Sequence, residues 1–517
     1  VRVTVSSARR IVVVGNGMVG HRLVERLVAA GHDGWHVTVV CEEPRLAYDR
    51  VNLSRLFDGE GAAGLALASP AQYRDAGVDA LVAESAVAID RAGKTVALSS
   101  GRTIAYDQLV LATGSYPFVP PIEGRALGGV FVYRTIDDLE AIRAHAAGAG
   151  VGVVIGGGLL GLEAANALRK LGLETHVVEM APRLMPLQVD EMGGAILRRQ
   201  IEGLGVAVHA GMATKRIVGS ADGRVVGLTF ADGGELAADL VVFSAGVRAR
   251  DELARAAGLT IGPRGGVVID DRCRTVDPDV LAIGECASFD GRTWGLVAPG
   301  YRMADVAAAA LADGTTSERL GVFDLSTKLK LLGVDVASFG DAFGFEPGAH
   351  TLSIVDTAAG VYKKLVVSAD KRRLLGGMLV GDASGYGTLL ALVQSKALLP
   401  AAPEDLILPA REGRAPAGLG PDALPAAAVV CTCHNVAKGA ICDAIAGAAL
   451  TSVAAIKKQT RAGTGCGSCV PLVGEILKCE LRRAGVSVTN HVCEHFPHTR
   501  QELFHLIQLR GQRTFDE

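Results

Sequence analysis

Twice along this chain an apolar run enters a glycine-rich turn, continues as a helix-like segment and returns as a second apolar run closed by an acid. The first copy is Ile11–Val14, then Gly15, Gly17 and Gly20, a helical pattern to Ala30, and a strand from His36 to Cys41 followed by Glu42 and Glu43. The second is VGVVI at 151–155, then Gly156, Gly158 and Gly161, a helical stretch to about Leu171, and a strand over 175–178 that ends at Glu179. An apolar run without alternation is the pattern of a strand buried on both faces, as in a parallel sheet flanked by helices. The repeat therefore commits the N-terminal half to α/β architecture. It implies two nucleotide sites, or one site and a degenerate copy.

Each glycine has a separate job. Gly15 permits the tight turn, Gly17 lets a pyrophosphate approach the backbone where a Cβ would collide, and Gly20 lets helix and sheet close up. The anion would rest on the helix N-terminus, where free N–H groups and the helix dipole favour negative charge. Glu42 is placed to accept from a ribose hydroxyl. Gly156, Gly158 and Gly161 repeat that geometry. Glu179 would hold both ribose hydroxyls of NAD and repel a 2′-phosphate, so NADH is favoured over NADPH. Arg183, four positions on, is the one nearby charge that could soften that choice.

Composition narrows the remaining possibilities. At roughly 150 residues per domain, 517 residues predict about three to four domains. A formal charge of −3 argues against a general nucleic-acid surface. No window of about 20 residues reads as a membrane span, and the first apolar run enters a glycine turn rather than a small-residue cleavage site. The expectation is a cytoplasmic protein. Of the 10 cysteines six lie between 431 and 479, which is not the distribution of a disulfide-stapled secreted domain.

Downstream, 322–400 carries strand-like patterns such as TLSIVD and LLGGMLVGD and reads as a small α+β domain. Prolines 400, 403, 409, 416, 421 and 425 mark 401–427 as a linker. Cys431-x-Cys433 and Cys466-x-x-Cys469 then present four thiolates, a set suited to zinc or to an iron–sulfur cluster. Structural zinc prefers two C-x-x-C knuckles, whereas a C-x-C pair can serve one iron of a [2Fe-2S] cluster and C-x-x-C the other. Gly463, Gly465 and Gly467 allow backbone amides to approach the sulfurs, and Lys457, Lys458 and Arg461 add positive charge nearby. Cys442 and Cys479 sit in apolar helical contexts and read as packed small residues.

The two units, with Ala112-Thr113-Gly114 between them and Ala282–Glu285 after them, resemble the two-dinucleotide-binding flavoproteins of the pyridine nucleotide-disulfide oxidoreductase family. That resemblance implies FAD in the first unit and NAD(P)H in the second, with Gly284 and Glu285 placing a carboxylate on the flavin ribityl chain where Asp is usual. The family also implies a basic residue near the flavin, here Arg50 within AYDRVNLS. Pro299 and Gly300 precede a helical stretch from Tyr301 to Ala310, which reads either as an ordinary proline-started helix or as one whose N-terminus faces the flavin pyrimidine and stabilises its reduced anion. Many members use a close cysteine pair. The first 320 residues hold only Cys41, Cys273 and Cys286, with no such spacing, so the flavin itself is expected to take the hydride and pass electrons on.

CTCHNV at 431–436 with TGCGSC at 464–469 resembles the bacterioferritin-associated-ferredoxin-like [2Fe-2S] domain. Together with GNGMVGHR, CEEPRLAYDRVNLS, GGGLLGLEAA and CEHFPHTRQELFHLI, the order of parts is similar to the N-terminal part of the assimilatory NAD(P)H-dependent nitrite reductase large subunits. The implied fold is two Rossmann-like domains, a small α+β domain and a small mainly helical [2Fe-2S] domain. The implied boundaries are 1–120 with 270–320 for FAD, 148–269 for NADH, 322–400, a linker at 401–427, 428–482 for the cluster, and the start of a further region at 490–517. Electrons would run from NADH to FAD to [2Fe-2S] and onward to a sirohaem and [4Fe-4S] part. After Cys469 only Cys479 and Cys493 remain, so that part is expected elsewhere, downstream or in another chain, and this chain alone is not expected to reduce nitrite. A small nitrite reductase subunit and self-association are further partners the family admits. Two alternatives stand beside this reading: a stand-alone NADH:acceptor reductase serving nitrate reductase or a ferredoxin-like protein, and a redox-sensing scaffold.

Overall fold

A computed structural model describes residues 9–31, 34–59, 61–313, 317–331, 333–399, 402–408, 420–486, 491–493, 496–499, 503, 506, 507 and 510. Residues 409–419 of the expected linker and much of the expected region 490–517 lie outside them.

Ile11–Val14 and Val37–Cys41 are almost fully buried, and this drives the first sheet. Each such side chain removed from water contributes about 1.5–3 kcal/mol. The sheet is five-stranded and wholly parallel, in the order Val280–Ala282, Gln108–Leu111, Arg9–Val14, Trp35–Cys41, Val78–Val82. The second sheet repeats the plan: Val130–Val132, Leu240–Phe243, Val151–Ile155, Glu174–Glu179, Val206–Ala210, again all parallel. In both, the glycine turn leaves the central strand and enters a helix, Met18–Ala29 in one and Leu159–Lys170 in the other.

The fifth strands are exchanged along the chain. Val130–Val132 lies ahead of its glycine turn yet completes the second sheet, and Val280–Ala282 returns after the second unit to complete the first. The second sheet therefore begins before residue 148. Short apolar triplets such as VFV carry no signal of which sheet they will join, because pairing partners are set by tertiary packing.

The small α+β domain is an antiparallel sheet in the order Thr327–Leu331, Val334–Gly340, Leu374–Val380, Val361–Val367, His350–Asp356, covered by helix Tyr386–Ser395. The cysteine module has a hairpin, Val429–Cys431 with Val436–Ala437, and three helices, Lys438–Gly447, Val453–Thr460 and Val470–Arg483. One apolar core joins it to the α+β helix and also to Met18 and Tyr301 of the first unit. Among the described residues no helix is long and apolar enough to cross a membrane.

Candidate functional site

The first glycine turn is built by close approach. Gly15 has φ +111°, its N–H donates to Val40 O at 2.9 Å, and a Cβ there would lie 2.2 Å from Ala112 O. A Cβ on Gly20 would lie 2.2 Å from Gly15 O. Around Gly17 nothing stands within 4 Å, so the space that its missing side chain leaves opens outward. The second turn is a replica. Gly156 has φ +118° and donates to Val178 O at 2.8 Å, Gly161 abuts Gly156 O, and Gly158 again faces open space. A Cβ on Gly156 would meet Ser244 O at 2.2 Å, so Ser244-Ala245-Gly246 is the second unit's counterpart of Ala112-Thr113-Gly114. That correspondence was not legible from composition, since only the place after the fourth strand is shared.

A single cavity of about 1290 Å³ gathers most of the candidate residues. Gly15, Gly17, Glu42, Arg50, Ala112, Thr113, Gly114, Gly158, Gly284 and Glu285 line it. So do all four cysteines, Cys431, Cys433, Cys466 and Cys469. Gly20, Gly156, Gly161 and Glu179 do not; the three glycines act inside the turns. The proline-rich stretch thus separates the two sites in sequence and not in space.

The charges around the cavity are paired in ways the sequence did not show. Glu42 Oε2 accepts from Arg250 Nη1 at 2.5 Å, and that hydrogen bond is the main cause holding the Glu42 carboxyl below its ordinary range. Arg50 is turned onto Glu43, with its guanidinium 4.8 Å from the Tyr48 ring centroid, so its charge reaches the cavity already compensated. Glu285 accepts from Ser115 Oγ at 2.7 Å and is ion-paired with Arg134. Arg134 and Glu285 follow the two exchanged fifth strands. Ser115, Arg134 and Arg250 are functional candidates that motif reading missed, because each becomes relevant only through its partner.

Glu179 is anchored by backbone: Gly157 N–H donates to Oε2 at 2.6 Å and Ala181 N–H to Oε1 at 2.7 Å. Arg183 turns away, donating to Val189 O at 2.9 Å and Pro186 O at 3.4 Å. The helix expected from Tyr301 begins a turn earlier, as Val297–Asp313. Pro299 falls within its first turn, where the missing N–H has no helical partner to lose. Val297 and Ala298 line the cavity.

Asn16 also lines the cavity, and its buried Nδ2 has no partner while its Oδ1 accepts from Tyr73. An unsatisfied buried donor beside the open face of Gly17 fits an anionic ligand at this turn. Burial raises the Cys41 thiol to about 11 and also raises Cys273 and Cys286, so these thiols stay protonated.

In the cysteine module three of the four candidate thiols are buried and Cys466 is half-buried. Hydrogen bonds between them cross the two motifs. The Cys469 hydrogen bond holds Cys431 below the ordinary thiol range, while Cys466 and burial push Cys433 up, and Cys431 and burial push Cys469 up. Among the described residues no three His, Cys, Asp or Glu side chains are arranged as a single-ion site. A Cβ on Gly465 would press on Cys433 Cβ at 3.0 Å, so the turn needs glycine to sit this close to sulfur. Four thiols grouped as two hydrogen-bonded pairs at one end of a cavity fit a two-iron cluster. Cys442 points instead to Glu480, 3.6 Å away.

Comparison with known proteins agrees with this layout. The family model described as pyridine nucleotide-disulphide oxidoreductase matches 9–313, the rubredoxin NAD+ reductase C-terminal domain matches 326–397, and the BFD-like [2Fe-2S] binding domain matches 429–478. The "Nitrite reductase [NAD(P)H] large subunit" of Klebsiella oxytoca is 53% identical over 98% of this chain and 53% of that protein. The "Assimilatory nitrate reductase electron transfer subunit" of Bacillus subtilis (strain 168) is 34% identical over 91% of this chain and 59% of that protein. The chain thus spans about half the length of the Klebsiella relative. A solved ferredoxin reductase for the CYP199A2 system from Rhodopseudomonas palustris superposes with a TM-score of 0.67 at 28% identity, covering 77% of this chain and 96% of that one. With the paired parallel sheets, the two glycine turns and a match across 9–313, the chain belongs to the pyridine nucleotide-disulphide oxidoreductase family.

Proposed function

We propose that this chain is the NADH-oxidising, electron-transferring portion of a nitrite reductase. The observation that carries the reading is the shared cavity, which runs from the first glycine turn to all four cysteines. FAD, held at Gly15 and Gly17 with Ala112–Gly114, Gly284 and Glu285 alongside, would supply the conversion between hydride pairs and single electrons. Gly17 and Asn16 would receive the pyrophosphate, and Glu42 a ribose hydroxyl. The Val297–Asp313 helix turns its N-terminus to the cavity and would favour negative charge on the ring. Gly158 and Glu179 would seat NADH. Both Glu179 oxygens accept backbone N–H bonds, and among the described residues no arginine is ion-paired with it, so a 2′-phosphate would meet the charge of this carboxylate. Cys431, Cys433, Cys466 and Cys469 would hold the [2Fe-2S] cluster.

The onward acceptor would be the sirohaem and [4Fe-4S] part that the sequence resemblance implies; the 53% identity to the nitrite reductase large subunit of Klebsiella oxytoca supports a nitrite reductase setting. One second reading has its own support: the electron-transfer subunit of Bacillus subtilis covers the same modules, which favours service to a nitrate reductase. Anaerobic titration with NADH, following flavin and cluster spectra separately, tests the common core of both. Flavin and cluster should both be reduced. A flavin that bleaches while the cluster stays oxidised would overturn the proposal. Supplying the purified sirohaem part with nitrite, or a nitrate reductase with nitrate, then separates the two acceptors.

A further inference from the structure

A closed ring of contacts joins helix Met18–Ala29, helix Val297–Asp313 and the cysteine module, and neither candidate cofactor site requires it. Arg22 is 1% exposed, donates from Nε to Asp305 Oδ1 at 3.0 Å, and lies 5.5 Å from the Tyr301 ring centroid. Tyr301, also buried, meets the His434 ring with centroids 5.9 Å apart. His434 Nε2 is 2.9 Å from Thr464 Oγ1, whose hydroxyl donates to Arg461 O at 2.8 Å. The hydroxyl has one proton, so His434 must donate from Nε2 to complete the pair. Arg461 then reaches back to the first unit, with Nη2 donating to Glu25 Oε1 at 2.8 Å. Glu25 stands three residues after Arg22 and 3.8 Å from its guanidinium, which closes the ring. Met18 and Tyr301 share an apolar core with Val430, Cys431 and Cys433.

We propose that this ring is an internal dock that holds the cysteine module at one fixed place on the flavin unit. Glu25, Tyr301, Thr464 and Arg461 are its positioning residues for single-electron passage between the two sites. The inference rests on the function proposed above. A module swinging on its linker would have to break the Arg461–Glu25 pair, part the His434 ring from Tyr301 and expose the apolar core that Met18 and Tyr301 share with Val430, Cys431 and Cys433 at each stroke. A fixed dock keeps one separation at every turnover. With both groups bound, the reduced flavin would give its two electrons one at a time to the cluster, a one-electron protein acceptor would take each in turn, and the flavin's proton would go to water.

The test uses the loaded full chain with Glu25→Arg, Arg461→Glu and the two combined. A new like-charge pair or a lost ion pair at a part-exposed site shifts an equilibrium about fivefold. Each single reversal should therefore speed amide hydrogen exchange in Val453–Thr460 and slow cluster reduction by about fivefold, with flavin reduction by NADH unchanged. The combined reversal should recover part of both, because the new charge at position 25 meets its opposite at 461 while still standing beside Arg22. Arg461→Asn, which suits the left-handed backbone at that position (φ +64°) while removing the guanidinium, should give a smaller change of the same sign. Native exchange and native cluster reduction in every single variant, or no rescue in the combined one, would overturn the dock. If the native cluster is never reduced by NADH, the proposed function fails, while the exchange data still decide the dock.

Discussion

In the first glycine unit the strand after the turn ends on Glu42 and Glu43, each met by an arginine, Arg250 and Arg50. In the second the equivalent strand ends on Glu179, which among the described residues is met by the N–H groups of Gly157 and Ala181. The backbones are near copies: both first glycines have φ above +110°, both donate to the neighbouring strand, and both abut the carbonyl that follows the fourth strand. The same covalent pattern thus yields two turns of the same shape in different electrostatic settings. Shape suits both for a pyrophosphate. Charge separates them at the ribose, where a carboxylate paired with arginine tolerates an added phosphate and Glu179 opposes one. The units also differ in neighbours, since the first is docked to the cysteine module through Glu25 and the second is not.

The largest effect should come from filling the open glycine positions. Gly17→Val adds a side chain to space that only a ligand would use, so the fold should survive, by circular dichroism, with FAD retention abolished. Gly158→Val should keep FAD and lose reduction by NADH. If FAD is lost from the Gly158 variant and kept in the Gly17 variant, the two assignments are reversed. Next in size, Cys466→Ser replaces a soft thiolate in a four-ligand set and should remove the [2Fe-2S] paramagnetic resonance signal. NADH-dependent reduction of a two-electron dye should persist, and most transfer to a one-electron protein acceptor should vanish. Transfer at the native rate would return the cysteines to a structural role.

Glu179→Ala should lower kcat/KM for NADH by roughly 10–100-fold, the scale of a charged bidentate contact, and narrow the margin over NADPH. Equal use of both coenzymes by the native chain would break the electrostatic contrast between the units. The smallest effect concerns Glu42. Its carboxyl is held below 4.5 chiefly by Arg250, so the pair's contribution is complete above that value and lost as pH falls through the lowered one. Both side chains are partly exposed, which limits the contribution to about 0.5 kcal/mol. Melting of the apoprotein should show Arg250→Gln slightly less stable at pH 7, with the gap closing toward pH 3. A gap that is constant across that range would mean the ion pair does not stabilise the fold.

The two turns, their glycines and the four cysteines were readable from the sequence alone, because each is a local motif whose spacing is dictated by the geometry of a few consecutive residues. Gly15 needs its φ and its close approach to Ala112 whatever the rest of the molecule does. The prolines at 400–425 were equally plain as the mark of a linker, but a linker does not say how far apart in space the parts it joins will lie. Only the tertiary structure decided that Cys431, Cys433, Cys466 and Cys469 line one cavity with Gly17. It alone exchanged strands Val130–Val132 and Val280–Ala282, paired Arg134 with Glu285 at their ends, and turned Arg461 from a charge near sulfur into the partner of Glu25. Those facts depend on contacts between residues more than a hundred apart in the chain. Charge pairing and strand choice at that range are set by which surfaces pack, not by any pattern along the chain.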